Sequence, residues 1–182
     1  MTELLVGDHA EVDALFRDLS RVFELGDARA VFERLDYLWA RLAVHIRAEH
    51  LHLFPALLAA SAAHGQGACD APTYEEVRAA VERLREDHDF FMRELAGAVS
   101  AALELAAREG PPDSELLMQL RGKAFAVAER LVGHNRVEEG QVYLWPAALL
   151  RAAELDALGA GMRREIENLP PRLAGGATGQ PM

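Results

Sequence analysis

Apolar residues recur every three to four positions through most of the chain, the period of a helix that buries one face. Four long stretches carry this pattern, at about 3–25, 28–63, 73–109 and 114–151, and a short fifth covers about 152–168. The breaks between them are rich in turn formers: Gly26-Asp27, the run HGQGACDAP over 64–72, and Gly110-Pro111-Pro112-Asp113, after which Ser114 is the expected N-cap. Pro55 and Pro146 each fall near the end of a helical pattern and mark bends there, because proline removes a backbone donor. Four long helices with short connections predict an all-α, up-down four-helix bundle with a short extra C-terminal helix. The domain is expected to span 1–168. From Leu169 the chain reads LPPRLAGGATGQPM, too small, polar and proline-rich for a core, so 169–182 is expected to be a flexible tail.

The second and fourth helices resemble each other. HIRAEHLHLFPALLAA (45–60) and HNRVEEGQVYLWPAALLRAA (134–153) each hold His-x-x-x-Glu, then an aromatic-Pro-Ala step and a leucine pair. Two related helix pairs predict a pseudo-symmetric bundle.

The buried stripes are not wholly apolar. The first helix runs Leu5, His9, Val12, Phe16, Leu19, Phe23, and the second Leu35, Leu38, Leu42, His45, Glu49, Leu53. The third runs Val77, Val81, Leu84, His88, Phe91, Leu95, Val99, and the fourth Leu120, Val127, Leu131, His134, Glu138, Val142, Trp145. Every long helix thus sets one histidine where a leucine belongs, and two add a glutamate one turn later. An unpaired buried carboxylate costs several kcal/mol or takes up a proton. A divalent metal turns that cost into binding energy. In His-x-x-x-Glu the two side chains share a face with Cβ atoms about 5–6 Å apart. Imidazole can then bind a metal terminally while a carboxylate, with two oxygens, reaches across to a second one. The pattern selects His9, His45, Glu49, His88, His134 and Glu138 as metal ligands. Mixed imidazole and carboxylate donors without thiolate suit non-haem iron. Taken singly, each histidine also reads as a hydrogen-bonded core residue; taken as six in phase on four helices, chance is a poor account.

Composition narrows the function. Ala and Leu together supply 33 and 27 residues, while Val, Ile and Thr supply 12, 2 and 3, a balance that favours helix over sheet. The net charge is −10 and only one of the 19 basic residues is lysine, Lys123, with no basic stripe, so nucleic acid and anionic membranes are not expected partners. The longest nearly apolar run, Leu53 to Ala63, is shorter than the roughly 20 residues a bilayer needs. The acidic N-terminus MTELLVGDHAE lacks a secretory apolar region, so the expected location is the cytoplasm. The single Cys69 excludes an intramolecular disulfide framework and a Cys-x-x-Cys site. No G-x-S-x-G, P-loop or G-x-G-x-x-G is present. Ferritin-like bundles draw Glu-x-x-His from two helices; here only Glu49-x-x-His52 has that spacing.

His9, then His45-x-x-x-Glu49 with Leu53-Phe54-Pro55, then His88, then His134-x-x-x-Glu138 resembles the hemerythrin-like (HHE cation-binding) family over about residues 5–150. The resemblance implies a four-helix bundle holding two irons per chain, bridged by carboxylates and an oxo or hydroxo group. It also implies chemistry with O₂, NO or peroxide in a monomer or homodimer. It assigns His9, His45, His88 and His134 as terminal ligands and Glu49 and Glu138 as bridges. Three departures stand out. The His-x-x-x-His pair of oxygen-carrying hemerythrins is missing from the third helix, where Leu84 and Met92 flank His88. That favours the branch resembling iron-cluster repair and regulatory proteins. His50 stands where the family often has a second glutamate, which makes His50 and His52 extra candidates beside their simpler reading as surface or supporting histidines. Pro146 lies eight positions after Glu138 where Pro55 lies six after Glu49, so Glu139 competes with Glu138 through a local π-bulge, although helical phase favours Glu138.

Around these positions, Asp8, Asp13, Asp87 and Asp89 are candidates to accept the second ring N–H of a histidine. Phe16, Phe91, Tyr143 and Trp145 are candidates for the pocket wall or for plain core. Met92 reads as core filling, and Cys69 and His64 as loop residues. Three functions remain open: a di-iron protein that binds or reacts with a small oxidant, an iron storage, sensing or donation protein, and a metal-free helical interaction module. Turnover would make the first an enzyme; reversible binding would make it a carrier or sensor.

Overall fold

A computed structural model of the chain describes residues 2–64 and 71–169, apart from the side chain of His64. All regular structure among the described residues is helical: α1 (Thr2–Leu25), α2 (Ala28–Ala48), a π-helical turn (Glu49–Leu53), α3 (Phe54–His64), α4 (Tyr74–Ala106), α5 (Ser114–Gly140), a 3₁₀ turn (Val142–Leu144), α6 (Trp145–Leu149) and α7 (Ala152–Ile166). Helices α1, α2, α4 and α5 pack around the bundle in that cyclic order, each against its two neighbours. The expected four-helix bundle with a fifth C-terminal helix is therefore the observed architecture. Helix α7 lies against α2 and the π turn, and α3 packs on α4 and α6. Cys69 and positions 170–182 of the expected tail lie outside the described residues.

The connections follow local chemistry. Gly26 takes φ +68°, the left-handed conformation that closes a helix at low cost for glycine. Asp27 then caps α2 by accepting from the Arg29 and Ala30 amides at 3.0 Å each. Thr73 and Glu76 form a reciprocal capping box at the start of α4. The cap of α5 is Asp113, which accepts from the amides of Glu115 and Leu116, and Ser114 is already the first helical residue. The cap is thus a carboxylate one position upstream of the expected serine, a single oxygen of which accepts from both free amides.

Both proline-containing helices are interrupted, as their prolines required. The second pattern does not run unbroken from 28 to 63: it passes through the π turn and restarts at Phe54-Pro55. The fourth does not reach 151: it stops at Gly140, makes the 3₁₀ turn and restarts at Trp145-Pro146. In α6 proline occupies the first helical turn, where a missing amide proton is harmless. The π-helical irregularity anticipated near Glu139 is found instead at Glu49–Leu53.

The core has two apolar clusters. One holds Val12, Leu42, Ile46, Phe91, Leu95 and Leu131 among others. The second holds Leu5, Leu53, Phe54, Leu84, Val142 and Tyr143, with Leu158, Met162 and Ile166 from α7. The polar residues of the stripes are His9 on α1, His45 on α2, Glu49 at the start of the π turn, His88 on α4, and His134 and Glu138 on α5, all buried. No helix among the described residues is long and apolar enough to cross a membrane.

Removing the observed cap checks this assignment. Asp113→Ala is expected to lower the urea midpoint by the equivalent of about 1 kcal/mol with an unchanged slope, whereas Ser114→Ala changes stability by less than about 0.5 kcal/mol.

Candidate metal centre

The six residues selected by the stripes meet in one layer. Each histidine turns Nε2 inward and engages a neighbour through Nδ1. His45 Nδ1 lies 2.6 Å from Asp8 Oδ2, and His134 Nδ1 lies 3.1 Å from Asp87 Oδ2. His9 Nδ1 lies 2.7 Å from Glu139 Oε1, and His88 Nδ1 lies 2.9 Å from Nε2 of His50. A carboxylate on Nδ1 holds that nitrogen protonated and leaves Nε2 with its lone pair directed at the centre.

The two glutamates lie between the histidines. Glu138 places Oε2 at 3.2 Å from His9 Nε2 and Oε1 at 3.0 Å from His134 Nε2. Glu49 places Oε1 at 3.6 Å from His45 Nε2 and Oε2 at 3.3 Å from His88 Nε2. Each carboxylate thus offers one oxygen to each side. Among the described residues two groups have donor atoms within 4.8 Å of one another: His9, His45 and Glu138, and His88, His134 and Glu138. Glu138 belongs to both.

Tyr143 is the residue whose role the stripes did not assign. Its hydroxyl lies 2.7 Å from Glu49 Oε1, 2.9 Å from Glu138 Oε2, 3.1 Å from His9 Nε2 and 3.5 Å from His45 Nε2. It was expected among the wall or core aromatics, and it supplies a further oxygen donor on the His9–His45 side. The available signal was internal likeness: counted back from the prolines, Tyr143 precedes Pro146 by the same three positions that separate His52 from Pro55. The longer Glu138-to-Pro146 interval is taken up by the 3₁₀ turn after Gly140, and that turn carries the phenol inward.

The other candidates separate cleanly. Glu139 is turned to the outer nitrogen of His9 and is not at the centre. His50 supports His88. His52 faces α7, with its ring against Gly161 and Nε2 3.8 Å from Glu165 Oε1. Of the four aspartates, Asp8 and Asp87 accept from site histidines, while Asp13 and Asp89 are exposed. Phe91 meets the His134 ring edge-on at 5.1 Å, and Phe54 stacks on His88 at 5.9 Å. Phe16 and Met92 pack against the first cluster and Trp145 lies in the second.

The centre is electrostatically unsatisfied. Glu49 Oε2 and Glu138 Oε1 are buried, and each faces only imidazole nitrogens, the nearest being His88 Nε2 at 3.3 Å and His134 Nε2 at 3.0 Å. Burial, reinforced by the Glu138 charge, pushes the Glu49 carboxyl up to about 7. Burial acts the same way on Glu138, but hydrogen bonds from His134 and His9 outweigh it and hold Glu138 well below the usual range. Burial pulls His9 and His134 down, yet the hydrogen bond and charge of Glu138 leave both raised. Burial lowers His45, and burial together with His134 lowers His88 strongly. Tyr143 is raised well above its ordinary value by burial and by the two carboxylates. The phenol has one proton for two carboxylates, so it can donate to only one of them at a time. Imidazole nitrogens and carboxylate oxygens with unused lone pairs, and no thiolate, match the donor preference of a divalent transition metal.

The pH dependence follows with a definite sign. A carboxyl whose folded value is raised loses stability as pH climbs from its unfolded value near 4.5 to about 7. Histidines with raised values hold stability below about 6.5 and lose it above. The lowered His45 and His88 act only below that range. The metal-free protein is therefore expected to melt at a lower temperature at pH 8 than at pH 6.5. Metal binding displaces those protons, so the rise in melting temperature on adding metal is expected to be larger at pH 8. Calorimetry with and without metal at the two values checks both.

Comparison with known proteins is consistent with this geometry. No curated protein and no solved structure gave a match to the chain. The hemerythrin HHE cation-binding domain matches residues 1–146, which include all four histidines, both glutamates and Tyr143. The chain therefore belongs to the hemerythrin HHE cation-binding family.

Proposed function

We propose that the buried layer is a dinuclear iron centre that binds or reacts with a small oxidant such as O₂, NO or peroxide. The observation that carries this reading is the pair of donor groups joined by Glu138 and spanned by Glu49, with one buried oxygen of each carboxylate facing only imidazole nitrogens. His9 and His45 would hold one ion and His88 and His134 the other, with both glutamates shared. Bound iron would supply the electrons and the Lewis acidity for small-oxidant chemistry.

The protein's own part is positional and protic. Asp8, Asp87, Glu139 and His50 hold the four rings in register. Phe54 and Phe91 stand against the rings of His88 and His134 and form an apolar wall on that side of the centre. Tyr143 holds a proton at its hydroxyl within hydrogen-bond distance of both carboxylates.

Iron storage, sensing or donation is favoured by a single feature. Helix α4 contributes His88 alone, because Leu84 is core and Met92 packs against core, and the His88–His134 position has no counterpart of the Tyr143 hydroxyl that lies by His9 and His45. Release to a chelator without unfolding separates the two: rapid loss of one ion supports iron handling, and retention of both supports small-oxidant chemistry.

Elemental analysis of anaerobically purified protein is expected to give about two irons per chain, with an optical spectrum that changes on adding O₂, NO or peroxide. Glu49→Gln keeps the contact with Tyr143 but removes a charge. It is expected to cut metal content to one ion or fewer while raising the melting temperature of the metal-free protein at pH 8. Loss of metal together with gained apo stability distinguishes a ligand from a structural residue. A wild-type chain without stoichiometric metal after reconstitution, whose melting temperature ignores iron, would instead be a metal-free helical module.

A further inference from the structure

Helix α7 lies beyond the residues that the family domain matches, yet it is wired to one of the site histidines. The link is Arg41, a guanidinium only 6% exposed. Its Nη1 donates to the carbonyl of Ile166, the last residue of α7, at 2.9 Å. Its Nη2 donates to Asp8 Oδ1, and to Glu11 Oε2 at 2.8 Å. The other oxygen of Asp8 contacts His45 Nδ1. One planar fork therefore ties the end of α7 to the carboxylate that sets the ring of His45.

The equivalent line on the other side has no such anchor. His134 contacts Asp87, and Asp87 accepts from Arg130 Nε at 2.6 Å, but Arg130 has a side chain 43% exposed and lies over the Phe90 ring. Among the described residues nothing of α7 takes part in it. Helix α7 is itself held on the site-bearing elements by apolar and polar contacts. Leu158, Met162 and Ile166 pack with Leu5 and Leu53, Glu165 accepts from Arg47 Nε at 2.7 Å, and Gly161 is approached so closely by His52 that a Cβ there would lie 2.8 Å from its Nδ1.

We propose that α7 is a functional part of the centre: through Arg41 it positions Asp8 and His45, so that its docking sets the affinity of the His9–His45 metal position and not that of the His88–His134 position. Arg41 is a positioning residue, since it touches neither metal position. The fork geometry is what lysine cannot reproduce, because a single ammonium cannot span the Ile166 carbonyl and Asp8 at once. The inference rests on the two-ion reading above.

Its test uses the full-length chain titrated with cobalt(II), whose visible bands report each position as it fills. Arg41→Leu is expected to weaken one of two cobalt ions by about 10-fold, the scale on which support of a ligand ring acts, and to leave the other unchanged. Arg41→Leu with His45→Ala should bind no more weakly than His45→Ala alone, whereas Arg41→Leu with His134→Ala should show the sum of the separate losses. Equal weakening of both ions, no weakening, or additivity with His45→Ala overturns the proposal. Glu165→Arg loosens α7 from Arg47 at a partly exposed position and serves if Arg41→Leu does not fold; a several-fold loss at the same ion is expected, and no change refutes the coupling. A wild-type chain that takes up no cobalt sinks the metal reading instead. In that event ring-nitrogen NMR of the metal-free protein decides the clamp. His45 should hold one Nδ1-protonated tautomer in the wild type and lose it in the Arg41 or Glu165 variant, and an unchanged His45 signal overturns the link.

Discussion

Two buried carboxylates facing each other across one phenol are the constraint from which the rest of this structure follows. Glu49 and Glu138 both touch the Tyr143 hydroxyl, and the other oxygen of each faces only imidazole nitrogens. Such a pair cannot remain fully ionised in an apolar interior, so it must hold protons or metal. The four imidazoles offer the matching lone pairs. Their outer nitrogens are in turn satisfied by Asp8, Asp87, Glu139 and His50, so the polar groups at the rim are paired while those at the centre are left short. A bundle stabilised only by its core would show the opposite distribution.

The layer also explains how the core is organised. The two apolar clusters lie on either side of it. Helix α7 adds its apolar stripe to the second cluster only. This places the added helix beside the His9–His45 half, where Arg41 can reach its last carbonyl.

The internal likeness of the chain appears in three dimensions as an approximate symmetry with two informative breaks. His45–Asp8–Arg41 and His134–Asp87–Arg130 are the same line of contacts drawn twice. One line ends in a buried arginine held by α7, the other in a half-exposed arginine against an aromatic ring. The helices that carry the glutamates also end differently. After Glu49 the chain makes a wide π turn and His52 faces outward toward α7; after Glu138 it makes a tight 3₁₀ turn and Tyr143 faces inward. Equivalent positions before the two prolines have thus taken opposite roles.

The residues of the layer were legible because each breaks a strong local rule. A histidine or glutamate in phase with leucines has to be buried with them, so helical period put His9, His45, Glu49, His88, His134 and Glu138 on buried faces, and the packing of the helices brought them to one level. Choosing Glu138 over Glu139 needed no more than the 100° between successive residues. Which outer partner each ring uses was only partly legible: four aspartates stood near the ligands, and only the packing of α1 against α2 and of α4 against α5 brought Asp8 and Asp87 into contact. The helix interruptions were flagged by their prolines, but a proline states only that the ladder of backbone hydrogen bonds must change. Whether it widens to a π turn or tightens to a 3₁₀ turn depends on which side chains must reach the core. Tyr143 entered the centre for that reason, and α7 reached His45 through Arg41 for a related one: both contacts join residues far apart in the chain, and periodicity carries no information about them.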